Sequence, residues 1–432
     1  MSPRSIRRWI AVAIRSFPGR CAIFATSFLV VAGTCTAHQN GPSGTLVLPS
    51  HPTWLTLHEG RGQVSTPDLV SAYYSSIGAV IGPNFQLITL EQFKHRFGFD
   101  AGDTARAVYF NAGDLEFGRD MHCIYNGILP SSPLPPLPFS PAAACYVTNY
   151  GKTPEGSPGP GGDPHEALND AIDGVDPIAT VAMTWGPTFG DQAVRFYVFD
   201  ANGQLSRAAV LDSEGPKFVP TACTSCHGGK VEIQPSSASS PRTPVVTGAS
   251  FLPFDVFSFG YSDRPGYSMA DQQEAFRRLN EIVKETHPNA NNPNDPIVDF
   301  IQGMYGGNVN VAGAQAQDTY VPVGWRDPFV THSGDRSNYY DVIIAPYCRT
   351  CHLARQDPGL DFTQFRDFLE RYRSVQGVIC GSHLMPHAEV PFKRFWLNPH
   401  VDLSGFMAQA DPSAGLEFPA YPDGCRPPPQ SP

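Results

Sequence analysis

Two thiols and an imidazole recur at one fixed spacing in this chain, as Cys223-Thr-Ser-Cys226-His227 and as Cys348-Arg-Thr-Cys351-His352. Thiols spaced in this way can each add across a vinyl group of one tetrapyrrole, and the imidazole that follows then lies beneath the metal. The spacing is the attachment pattern of c-type haem. Such attachment makes His227 and His352 axial iron ligands and leaves the opposite face of each iron to a second residue, a water or a substrate. At the chain's own Cys and His frequencies, one such pattern arises by chance with a probability of roughly 0.7 %, and two with about 2 in 100,000. Zinc ribbons set their Cys pairs much closer together than these, and a thioredoxin-like pair would be single and sit in a βαβ pattern.

The N-terminus has the order of an export signal. Arg4, Arg7, Arg8, Arg15 and Arg20 precede the apolar run Cys21–Ala32, and small residues follow it. A cleavage site at Cys35-Thr-Ala37 would start the mature chain at His38, and the apolar run is short for a membrane span of about 20 residues. Covalent haem is attached outside the bacterial cytoplasm, so a periplasmic or secreted location is expected, with no stable membrane span after cleavage.

Cys123, Cys145, Cys380 and Cys425 lie outside both the leader and the haem motifs. In an oxidising compartment they suggest two disulfides, with Cys123–Cys145 and Cys380–Cys425 as the nearest-neighbour pairing among three connectivities. Without residues 1–37 the chain has 25 basic and 40 acidic residues, a net charge of −15. That balance disfavours nucleic acid and suits either a basic redox partner or plain solubility.

The elements that would position this chemistry divide the chain into 1–37 (signal), 38–215 (β-rich), 216–330 (first haem region) and 331–432 (second haem domain). The fold class expected is α+β, a β-rich N-terminal domain followed by a mainly α-helical, cytochrome c-like region. Ala105–Phe110, Ala144–Thr148, Ala179–Met183 and Ala193–Phe199 have the β-branched and aromatic content of strands. Asp200–Gly203 is a turn that would fold Gln204–Leu211 back as a hairpin. The stretches Pro130–Pro141 and Gly151–Pro164 read as surface loops. Helices are expected near Thr89–Arg96, over Ala270–Thr286 with Phe276, Leu279, Ile282 and Val283 inward, and after the second motif on the face Phe362, Phe365, Phe368, Leu369, Tyr372. Pro216 and Pro220 argue against a long helix entering the first motif.

After the second motif comes Cys380-Gly-Ser-His-Leu-Met385-Pro386-His387. Its Met-Pro pair is similar to the distal ligand loop of class I cytochromes c, which makes Met385 the expected sixth ligand of the second haem, with His383 or His387 as substitutes. Met183, Met269 and Met304 are candidates for the first haem; an open or His-ligated iron is the alternative.

Taken with both motifs and the segment Tyr347–Trp396, the chain resembles bacterial dihaem c-type cytochromes, exported proteins with cytochrome c domains. The resemblance covers about a fifth of the chain. It implies two covalently attached haem c groups held by Cys223, Cys226, Cys348 and Cys351, iron ligation by His227 and His352, and single-electron transfer to a redox partner protein. Tyr347 and Trp396 would pack a haem edge. The rival is a dihaem peroxidase or oxygenase whose first haem is open, with His122, Asp212 or Glu214 as acid/base groups. A third possibility makes the β-rich part a docking module.

Overall fold

The computed structural model describes residues 66–397 apart from 82–85, 101–103, 126–141, 188–192, 213–214, 236–241, 288–291, 293, 327–339, 356–359 and 378–388. In chain order the elements are α1 (Pro67–Ser76), β1 (Val80–Ile81), β2 (Gln86–Leu87), α2 (Leu90–Arg96), β3 (Ala105–Phe110), β4 (Gly118–Tyr125), β5 (Ala143–Tyr150), α3 (Pro164–Asp173), β6 (Pro177–Trp185), β7 (Val194–Asp200), β8 (Ala208–Val210), β9 (Pro216–Phe218), α4 (Thr221–His227), β10 (Lys230–Gln234), β11 (Thr243–Thr247), α5 (Gln273–Glu285) and α6 (Pro296–Met304). Around the second motif follow α7 (Ala345–Tyr347), α8 (Arg349–His352), α9 (Phe365–Gln376) and α10 (Glu389–Leu397). The class is α+β, as expected.

Strands β3 to β7 form one antiparallel sheet in sequence order. Residues directly opposed across an antiparallel pair share a face, so the register puts Tyr109, Arg119, Met121, Cys123, Cys145, Val147, Val181, Met183, Phe196 and Val198 on one side. The other side carries Val108, Phe110, Tyr146, Tyr197 and Phe199. Helix α2 covers part of it, with Phe93 5.1 Å from Tyr197 and Lys94 4.5 Å above the Tyr146 ring. Helix α3 packs Ala167, Leu168 and Ala171 against Phe110, Val108 and Tyr150. Helix α2 starts with the capping box Thr89/Gln92, which satisfies two N-terminal donors reciprocally.

The first face meets α5 and the loop before it, where the Tyr109 ring lies 4.2 Å from Phe259 and 5.6 Å from Phe276. β3 is an edge strand, and the outward backbone groups of Val108 and Phe110 are sealed. The Gln272 amide accepts from Val108 N (2.7 Å) and donates to Val108 O (2.8 Å), and Phe110 pairs with Gly260. Sealing an edge this way removes a template for wrong strand pairing. Helix α5 buries Phe276, Leu279, Ile282 and Val283 as its period predicts.

Two expectations are corrected. The Asp200–Gly203 turn forms, with Asp200 Oδ1 accepting from the backbone N–H of Asn202 and Gln204, but the pairing beyond it stops early, at the Phe199–Leu205 bridge and the bond from Ser206 N to Val198 O (2.7 Å). Ser206 Oγ bonds both to Ala208 O and to Ala208 N and bends the chain away, so β8 pairs with β9 instead. The region after residue 216 is less helical than expected: Lys-Val-Glu-Ile-Gln alternates with period two and forms β10, paired with β11. No described helix is long and apolar enough to cross a membrane. The leader, Pro130–Pro141, Glu214, Cys380–His387 and Cys425 lie outside the described residues.

Candidate functional site

Strand β9 leads directly into the short helix α4, which carries Cys223, Cys226 and His227. Gly228 ends it at φ +71° and Gly229 follows at φ +73°, both in the left-handed region that favours glycine. A Cβ at Gly228 would lie 2.0 Å from Ala354 O, and one at Gly229 2.3 Å from Thr247 O, so both glycines let the motif helix seat against its neighbours. Ser250 grips His227 from two directions. Its N–H donates to His227 O (2.9 Å), and its carbonyl accepts from His227 Nδ1 (3.0 Å). A carbonyl can only accept, so Nδ1 carries the hydrogen and Nε2 keeps its lone pair. Burial holds the imidazole down to about 4, against which the Ser250 bond pulls weakly upward, leaving it neutral at physiological pH.

His227, Cys223 and Cys226 line a cavity of about 1200 Å³, counting its opening to solvent, that is walled by the sheet face just described. Arg119, Met121, Cys145, Val147, Val181, Met183 and Phe196 form that wall, and the 251–259 segment forms another. Phe196 packs 5.5 Å from the His227 ring. The 251–259 segment is held by Asn280, whose amide accepts from Phe254 N (2.8 Å) and donates to Phe254 O (3.0 Å). Cys123 and Cys145, opposed in register, are joined by a disulfide, the pairing expected from their spacing.

Arg119 and Asp114 are among the polar groups of the lining. Arg119 interacts with Tyr109 and Asp114, yet its Nε is withdrawn from solvent without a hydrogen-bond partner. Burial raises the Asp114 carboxyl, opposed by Arg119 and by the Asn111 amide at 3.4 Å. A buried guanidinium donor of this kind fits a carboxylate of a bound group.

In the second motif, α8 carries Cys351 and His352, with Cys348 at its N-cap. His352 Nδ1 donates to Leu360 O, repeating the arrangement at His227, and burial again holds the ring down to about 4. Its ring stacks on Phe362 at 4.0 Å. Phe362 has φ +53°, a conformation costing an L-residue roughly 1–2 kcal/mol. Trp325 Nε1 donates to the Phe362 carbonyl (2.8 Å) and helps hold that backbone in place. Arg349, inside the motif, pairs with Asp255 of the first cavity and lies 4.8 Å over the Phe300 ring. Burial pushes the Cys223 and Cys348 thiols up to about 12, so neither is a ready thiolate nucleophile.

The two motifs meet. Ligand atoms of Asp114, Cys226 and Cys351 all lie within 4.8 Å of one another, a group that could hold a metal ion. Thioether attachment at Cys226 and Cys351 would use up those sulfurs, so the two uses exclude each other.

Of the methionines considered for the first motif, only Met183 lines its cavity. Met304 is buried in the main core, and Met269 packs against it. Met385, His383, His387, Cys380 and Cys425 lie outside the described residues, as does Glu214. His122 points to the opposite sheet face, stacked 4.5 Å on Tyr146 and bonded to Asp120, and Asp212 pairs with Lys217 at 3.7 Å. The Tyr347 ring packs 5.3 Å from Phe395. Sequence reasoning missed Arg119, Met121, Asp114 and the Ser250 carbonyl. Arg119 and Met121 sit on β4, whose single β-branched residue, Ile124, leaves little strand signal. Comparison with protein-family models, with curated proteins and with solved structures finds no match to this chain.

Proposed function

We propose that this protein is an exported dihaem c-type cytochrome that carries single electrons. The observation that carries the reading is the common setting of the two motif imidazoles. His227 and His352 each donate Nδ1–H to a backbone carbonyl, of Ser250 and Leu360, and each stays neutral with Nε2 free to ligate. A metal-ligating histidine is oriented in the same way by the group its second nitrogen meets.

The chain's residues fit the group at the first site. Cys223 and Cys226 stand beside His227 on α4, and the cavity they line is walled mainly by apolar side chains. Bound there, haem supplies a one-electron iron couple. The protein's part is to fix each imidazole, exclude water with the sheet face and the 251–259 segment, and supply the distal side of the first site from Met183 or Met121. Two thioethers on that wall favour a carrier over an enzyme with an open iron. The cytochrome c-like character of the second region, and its closure by Met385, belong to the same proposal, as do the basic redox partner and the periplasmic or secreted location.

The second reading is a haem-dependent oxidoreductase, favoured by Arg119 and Asp114 standing together in the first cavity. Periplasmic expression with haem maturation, pyridine haemochrome and metal analysis, and EPR of the ferric protein separate the readings. Two haems per chain, both low-spin, support the carrier. A stoichiometric high-spin signal lost in His227→Ala supports the enzyme, and bound zinc with no covalent haem rejects both.

A further inference from the structure

The two attachment motifs, far apart in sequence, are built against each other. The sulfurs of Cys226 and Cys351 lie within 4.8 Å. Arg355, just past the second motif, donates to the Ser225 carbonyl inside the first. Gly228, just past the first motif, abuts Ala354 so closely that any side chain there would collide with the Ala354 carbonyl. Thr350, between the two cysteines of the second motif, lines the first cavity, and Arg349 beside it pairs with Asp255 in the same lining. Three of these contacts join α4 and the glycine after it to α8 and the residues just past it, and the other two fasten α8 to the lining of the first cavity.

From this juxtaposition we infer that Cys226 and Cys351 hold the two haems edge to edge at their thioether-bearing sides, as one magnetically and electrostatically coupled pair. The inference rests on the dihaem reading. Each sulfur would be bonded directly to a substituent of its macrocycle, so the separation of the sulfurs would set the approach of those edges. Transfer within the pair moves one electron from a ferrous to a ferric centre with no bond made or broken and no proton moved. An external one-electron donor and an external one-electron acceptor complete the cycle. The charge change on reduction would fall on each iron, inside its macrocycle, and two irons whose macrocycles meet at an edge would feel each other across that distance, because Coulomb energy varies inversely with distance and dielectric constant. Reduction of one centre therefore disfavours reduction of the other.

The test is EPR of the wild-type holoprotein at stages of a potentiometric titration, after pyridine haemochrome has counted the haems. With two haems present, the coupled pair gives a fully ferric spectrum whose line shape changes when one electron is added, because the remaining ferric centre loses its paramagnetic neighbour. Independent centres, whose half-reduced spectrum is a simple subset of the ferric one, would overturn the inference while leaving the dihaem reading intact. Fewer than two haems would overturn both. Gly228→Ala must push α4 from α8, and in protein that still carries two haems it is expected to weaken the coupling. Coupling unchanged in a folded Gly228→Ala protein would also count against this geometry.

Discussion

At the scale of single residues, the site divides into what is local in the chain and what is not. Cys223, Cys226, His227, Cys348, Cys351 and His352 could be nominated from sequence because the proposed attachment chemistry needs only a five-residue spacing, and sequence displays spacing directly. Arg119, Met121 and Ser250 reach the same cavity through strand pairing and loop packing, which no local pattern encodes. Met183 was legible only as one methionine among several, and its place on the wall was decided by register with Cys145 and Phe196. On the proposed reading, Met183→Ala is expected to turn one ferric haem from low-spin to high-spin, and Met121→Ala to leave both low-spin. The reverse pattern would move ligation to Met121, and no change in either variant would mean that the sheet does not close the first iron.

At the scale of elements, β3, β5, β6 and β7 were read close to their true bounds because their cores are β-branched or aromatic. β4 was missed because Gly-Arg-Asp-Met-His-Cys-Ile-Tyr holds one β-branched residue and three charged or ionisable ones. Asp120 and His122 have a structural use on the face away from the cavity. His122 Nε2 donates to Asp120 at 2.9 Å and Arg106 Nε at 2.7 Å, tying β4 to its neighbour β3. Burial alone would raise the Asp120 carboxyl, but these bonds outweigh it and hold the group below the ordinary range. A carboxyl lowered by folding contributes stability that is present above its unfolded pKa, about 3.9, and is lost as pH falls through the lower folded value. Asp120→Asn is therefore expected to reduce unfolding free energy by about 1–2 kcal/mol at pH 7. The difference from wild type should shrink below pH 4, as followed by urea denaturation across a pH series.

At the scale of the whole molecule, one buried cluster runs from Val70 in α1 to Ala354 beyond α8, joining the sheet, α4, α5 and α6. The β-rich part is thus continuous with the first motif, and its apparent lack of purpose in the sequence came from reading it apart from the cavity it walls. The acidic balance of the chain belongs to this scale as well. If docking to a basic electron carrier is steered by that charge, the second-order rate of electron exchange should fall steeply as ionic strength rises from about 0.01 to 0.15 M, where screening shortens from roughly 30 to 8 Å. A rate flat across that range in stopped-flow measurements would assign the acidity to solubility alone. The Cys123–Cys145 bond, finally, sets an order of events in the life of the chain. It fastens two strands of the cavity wall across 22 residues, a closure worth about 3 kcal/mol in the chain-entropy model. Thiols on those strands stay open in a reducing cytosol. A chain folded without that bond would have a looser wall, so on the proposed exported reading oxidation of this one pair is among the steps that build the pocket.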